Sequence, residues 1–273
     1  MTKVSQSSNL NIIQAYFQHK DLIKQLVKRE VFSRYKGSFL GIMWSFINPV
    51  FMLIIYTFVF GVVFSARWNM DISDKSHFAL VLFCGLMVYN IFADVIVRSP
   101  NLVVGNVNYV KKVIFPLEIL PLVVLLSAIV HFLISLVILI LALLILKSVV
   151  NWTIILVPIV LIPIFLLSLG IGLFLSSLGV FIRDISQITN VIVSALLFLS
   201  PIFYPISAVP SNIRFIYYIN PISYVVEDMR NIVLWGILPN WNWLIIGTIT
   251  GMIIFTMGSL WFYKTKGGFA DVL

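Results

Sequence analysis

The sequence predicts an all-α membrane protein: six transmembrane helices, an N-terminal amphipathic interface helix, and short re-entrant helices between spans five and six. Three observations carry this prediction. Hydrophobic residues fill 61% of the 273 positions, charged residues only 10%, and mean hydropathy is +1.08. A soluble domain of this size charges about a quarter of its residues to meet water, so the outer surface here must face hydrocarbon. The charges that do occur lie between long uncharged runs, and five prolines break the last third of the chain.

Residues 1–36 read as a cytoplasmic segment with a polar opening, for which no cleavable signal is expected. Within it, residues 9–30 place Ile12, Ile13, Tyr16, Phe17, Ile23, Leu26 and Val27 at helical spacing, with Lys20, Lys24 and Lys28 elsewhere around the wheel. That pattern suits a helix floating among lipid headgroups, or one packed on another cytosolic protein.

The membrane domain covers residues 37–263, followed by a cytoplasmic tail over 264–273. Its first uncharged run, Gly37 to Ala66, extends roughly 45 Å as a helix, ample for a hydrocarbon core of about 30 Å. Spans are expected at about 39–66, 77–97, 117–146, 151–181, 185–201 and 242–263. A charge at a span centre costs at least about 2.5 kcal/mol, which explains the empty stretches. Between the last two spans, Pro201, Pro205, Pro210, Pro221 and Pro239 alternate with Arg214, Glu227, Asp228 and Arg230. This region is too broken for a span and too apolar for an ordinary loop, so short helices that dip in and return are expected. Thirteen of the 18 Lys and Arg residues fall on the side of the chain ends. The positive-inside rule therefore places both termini in the cytoplasm, with the protein in the inner membrane.

Composition excludes several functions. The net charge of +8 is concentrated beside the membrane rather than on a solvated face, so nucleic acid is not an expected partner; membrane lipid is. Cys84 is the only cysteine, which leaves no disulfide framework. No catalytic, metal-binding or cofactor-binding residues are expected: the Ser, Thr and Asn residues of the spans have no base beside them, and the dipeptide Gly-Lys of a phosphate loop never occurs. His131 stands alone in span three and reads as a neutral side chain bonded to a neighbouring helix. Asp94, near a span end, is the one carboxylate that a gradient-driven carrier could use.

Five stretches in fixed order carry a family likeness. They are Arg34-Tyr-Lys-Gly-Ser-Phe-Leu-Gly-Ile-Met-Trp44 followed by Asn48-Pro49, and Val110-Lys-Lys-Val-Ile-Phe-Pro-Leu-Glu-Ile-Leu-Pro121. The others are Phe181-Ile-Arg-Asp-Ile-Ser-Gln187, Leu199-Ser-Pro-Ile-Phe-Tyr-Pro205, and Asn220-Pro-Ile-Ser-Tyr224 with Glu227 to Asn231; the tail Phe269-Ala-Asp271 also fits. Together they resemble the ABC-2 permeases that export polysaccharides, over nearly the whole chain. The resemblance implies a non-catalytic half-transporter. Two copies would form a homodimer, and two copies of a separate ATPase, which holds ATP and Mg, would dock on the cytoplasmic side. It implies a cargo of polysaccharide on undecaprenyl pyrophosphate, with lipopolysaccharide O-antigen the nearest branch; capsular polysaccharide and teichoic acid exporters share the scaffold. A stand-alone secondary carrier of a small solute is the competing reading.

On that resemblance, Arg98, Lys111 and Lys112, between spans two and three, and Arg183 with Asp184, before span five, are the candidate contacts to the ATPase. The same charges serve equally as headgroup anchors. Trp44, Tyr56, Tyr89, Phe198, Phe203, Tyr204, Tyr217, Tyr218 and Tyr224 are candidates to line the polymer pathway, since flat rings hold the C–H faces of sugars without gripping their hydroxyls. Pro201, Pro205, Pro221, Glu227, Asp228 and Arg230 mark the re-entrant region. Pro116, Pro121, Pro158 and Pro163 are expected to bend their helices, and Gly170, Gly172, Ser176 and Gly179 to permit close helix approach.

Overall fold

The computed structural model describes residues 10–63, 75–111, 115–147 and 150–273, and all regular structure among them is helical. Five helical segments are long and apolar enough to cross a membrane: Gly41–Phe60, Phe78–Arg98, Ile119–Leu146, Trp152–Phe181 and Trp241–Lys266. The expected fifth span is the apolar helix α10 (Ile185–Phe198), whose 14 residues are shorter than a full crossing. Ser200 and Pro201 follow it and end the helix.

The interface segment divides into α1 (Leu10–Gln18) and α2 (Lys20–Ser33), with a break at His19. Its apolar face does not float free. Ile23 and Leu26 pack on Ile119 and Val123, at the start of α7 (Ile119–Lys147), while Phe17 is left 76% exposed. After a turn at Gly37, α3 (Trp44–Tyr56) runs into a π-helical turn at Thr57–Val63.

The body is organised around α4 (Lys75–Arg98), which packs against α3, α7, α9, α10 and α12. Two short helices, α5 (Asn101–Val104) and α6 (Val107–Lys111), link it to α7. Span four starts with a 3-10 turn at Trp152–Leu156 and α8 (Val157–Val160), then continues as α9 (Ile162–Phe181). Pro158 and Pro163 flank this break, as expected. Pro116 and Pro121 do not bend α7: Pro116 precedes it, and Pro121 lies in its first turn, where a missing N–H costs no helical bond.

The most extensive helix pair is α9 with α13 (Trp241–Lys266). Glycines set their separation. A Cβ on Gly170 would lie 2.6 Å from the Ile254 carbonyl carbon, and one on Gly258 would collide with the Gly170 carbonyl. Gly179 meets the Pro100 backbone just as closely and holds α5 against α9.

Candidate functional site

Four charges hold the interface helix to the basic end of span two. Arg34, just past α2, pairs with Asp94, and Arg98, one turn beyond Asp94, pairs with Glu30 of α2. Arg98 also approaches Asp94 at 3.8 Å. Asp94 is thus compensated from two sides. Nearby, Lys266 of α13 reaches Glu118 at 2.6 Å, and the Tyr16 hydroxyl donates to the Glu118 carbonyl at 3.3 Å.

The short helices between spans two and three are held from both sides. Arg29 donates to the Tyr109 hydroxyl at 3.2 Å, and Tyr109 stacks on Phe115 with centroids 4.2 Å apart. The terminal helix α14 (Phe269–Val272) packs on α6 and α9, with Phe269 fully buried. Of the candidate coupling residues, Arg98 faces inward to its ion pairs. Lys111, Arg183 and Asp184 are exposed, and Lys112 lies outside the described residues.

At the opposite end, short helices replace a span: a 3-10 turn at Ile206–Ala208, α11 (Phe215–Ile219) and α12 (Pro221–Arg230). Asn220 caps α12 by accepting from the Ile222 amide at 3.0 Å, Pro221 occupies the first helical position, and the Asn220 amide donates to Ser200 Oγ at 2.9 Å. The Asn-Pro pair therefore starts one helix and ties it to the end of another.

Arg230 closes the arrangement. Its fully buried guanidinium donates to the carbonyls of Pro201 at 2.7 Å, Ile202 at 2.9 Å and Val81 of α4 at 3.1 Å, with the Glu227 carboxylate 3.6 Å away. A helix that ends inside an apolar body leaves carbonyls without donors, and one guanidinium has five N–H groups to supply. Gly85 makes room for it: a Cβ there would stand 2.7 Å from Nη2. Asp228 accepts the Asn240 amide at 2.9 Å and so connects α12 to α13; burial pushes its carboxyl up to about 6, against the pull of that hydrogen bond. Among the described residues, no three His, Cys, Asp or Glu side chains meet as metal ligands.

The candidate pathway aromatics make three sets of contacts, the first two linked by the Tyr204 hydroxyl donating to the Phe198 carbonyl. Phe203 lies between Phe198 (5.6 Å) and Phe60 (6.3 Å), and Phe60 leads on to Tyr56 at 6.5 Å. Tyr204 and Tyr217 share a hydroxyl contact of 2.6 Å. Tyr224 stacks on Trp243 at 4.4 Å, with Tyr218 parallel to the same indole at 6.4 Å. Tyr89 is buried, its hydroxyl donating to the Val193 carbonyl, and Trp44 is half-buried at the start of α3.

A cavity of about 480 Å³ separates α3, α4 and α7 near the Arg34–Asp94 pair. Its polar lining includes Ser45 and Asn48 from α3, Asn90 and Asp94 from α4, and His131 and Ser135 from α7. His131 is not hydrogen-bonded to a neighbouring helix as expected. Its ring meets Tyr35 edge-on at 6.0 Å, and its Nε2 is buried with no partner among the described residues. Asn48, Asn90 and the Glu30 bridge were not anticipated as site residues. The signal was present as a polar pair three or four residues apart in each of the three spans.

Buried glycine contacts, a largely apolar exterior and paired charges at one end define a multi-pass helical membrane protein with a re-entrant end. A family model described as ABC-2 type transporter matches residues 21–234, and the chain belongs to that family. It is 27% identical over 254 residues to an O-antigen export system permease protein RfbA of Klebsiella pneumoniae, covering 93% of this chain and 95% of that one. An RfbA of Myxococcus xanthus is 24% identical over 200 residues, covering 73% of this chain and 74% of its own. The polysialic acid transport protein KpsM of Escherichia coli is 24% identical over 253 residues, covering 90% and 94%. The chain is thus an ABC-2 permease homologous to an O-antigen export permease and to a polysialic acid transport protein.

Proposed function

We propose that this chain is the non-catalytic membrane subunit of an ATP-driven exporter. It would move polysaccharide linked to undecaprenyl pyrophosphate, O-antigen foremost, from the cytoplasmic to the periplasmic side of the inner membrane. Two copies pair as a homodimer with both termini in the cytoplasm, and two copies of a separate ATPase bind ATP and Mg. The observation that carries this reading is the likeness to polysaccharide permeases along nearly the full length of both chains. The similar identity to the KpsM relative supports capsular polymer as a second cargo.

The geometry suits the coupling role. The α5–α6 unit is fixed to α2 through Arg29, to α9 through Gly179, and to the tail through α14, while Lys111 projects from its end. A push there moves α4 and α9 as packed bodies, not as flexible loops. Exposed Arg183 and Asp184 form a second contact on the same side.

Two measurements test this. Affinity purification of the tagged chain is expected to recover an ATPase partner, and the chain alone to hydrolyse no ATP; intrinsic ATPase activity rejects the reading. Lys111→Glu with Lys112→Glu is expected to lower glycan export at least tenfold while the chain still elutes as a single species.

A further inference from the structure

We propose that the cavity between α3, α4 and α7 is an intraprotomer pocket for a neutral sugar ring, with Asn48, Asn90 and His131 as its hydrogen-bonding ligands. The inference rests on the polysaccharide-export reading and assigns a specific contact within it.

Asn90 is an exposed residue in span two, whose most apolar stretch is 72% buried; the space it faces is this cavity. Among the described residues neither the Asn48 nor the Asn90 side chain makes a hydrogen bond, and His131 Nε2 is buried without a partner. Pro49, also in the lining, has no N–H to offer the Ser45 carbonyl one turn earlier. The buried His131 Nε2 needs a partner, and the exposed carboxamides of Asn48 and Asn90 line the same space from two other helices.

The chemistry of the lining selects the ligand. The cavity holds one cation and one carboxylate, Arg34 and Asp94, and they neutralise each other. A phosphate therefore finds no free charge. Two carboxamides and an imidazole each combine donor and acceptor character, which matches the hydroxyls of a sugar. Tyr56, Phe83 and Phe132 also line the space and offer aromatic edges to its C–H faces. The volume of about 480 Å³ falls within the range of about 300–1,000 Å³ for small-ligand sites.

The test uses the full transporter in nanodiscs, with Cys84→Ser removing the native thiol and Ala93→Cys, in the lining but not one of the three ligands, installing a reporter. The probe is the host's own glycan, released from its lipid by mild acid. A membrane-impermeant methanethiosulfonate is expected to label the reporter, and the glycan to slow labelling at least fivefold while glycerol phosphate does not. In cells, Asn90→Leu is expected to reduce export at least tenfold and Asn90→Gln less than threefold, both eluting as the wild type does. Labelling unaffected by glycan means a water vestibule and overturns the pocket. No labelling means a sealed void and overturns it, and equal protection by glycerol phosphate means a lipid-headgroup site and does the same. If wild-type cells export glycan while any of these results holds, only the pocket fails. If they export none, the transport reading fails first.

Discussion

Spans one and two are neighbours of similar length and apolarity, yet they live in different surroundings. Of the most apolar stretch of Phe78–Arg98, 72% is buried by other parts of the chain, against 6% for Gly41–Phe60. Span two is enclosed by five helices and held at both ends by guanidinium groups: Arg98 to Glu30 and Asp94 at one, Arg230 to the Val81 carbonyl at the other. Span one packs mainly on α4 and α7 among the long helices, and its Phe46, Phe51, Ile54 and Phe58 face outward. The difference separates a fixed axis from a segment that the rest of the chain leaves largely uncovered.

The sharpest way to break this comparison is to unlock the axis. Arg230→Met removes the donors for three carbonyls, each worth about 1–3 kcal/mol when left unsatisfied, for a total of about 3 kcal/mol or more. Unfolding of the detergent-solubilised chain by heat or SDS should show that loss. Arg230→Lys is expected to recover little, because one ammonium cannot reproduce the planar fork. A near-neutral Arg230→Met would mean that α10, α12 and α4 are not joined at this point.

Much of this was legible beforehand. The uncharged runs located five of the six expected spans as long apolar helices, because a charge within hydrocarbon is too costly to leave in place. The Asn220-Pro221 pair and the small residues of span four also marked real structural joints. The environment of each span was not legible, since spans one and two are both apolar and lipid is as good a solvent for Leu as another helix. Nor could the sequence show that Arg98 pairs with Glu30, 68 residues earlier. The contacts among the aromatics were not legible either, because they depend on how the turns after α10 bring distant rings together.

A smaller effect is expected at the other end of the axis. Glu30 and Arg98 are 23% and 28% exposed at their side chains, so solvent screens their attraction. A double-mutant cycle with Glu30→Ala and Arg98→Ala should give a coupling of about 0.5–1 kcal/mol in melting experiments. Reversal of Arg98 to Glu sets it against Glu30 and Asp94, and adding Glu30→Arg should recover most of the loss. A coupling near zero would assign the hold on α2 to Ile23 and Leu26 alone.

The smallest change in stability belongs to span one. Phe51 is 57% exposed and Ile54 58%. Their loss in a solubilised single chain removes contacts with detergent or lipid only, so Phe51→Ala and Ile54→Ala should each stay within about 0.5 kcal/mol of wild type. The same face should respond strongly to a second copy. In a Cys84→Ser background, Ile54→Cys is expected to form an oxidised dimer in membranes, and Ile145→Cys on α7, although 82% exposed, is not. Equal cross-linking at both positions would make span one an ordinary lipid-facing helix, and its near-complete exposure would then have no bearing on assembly.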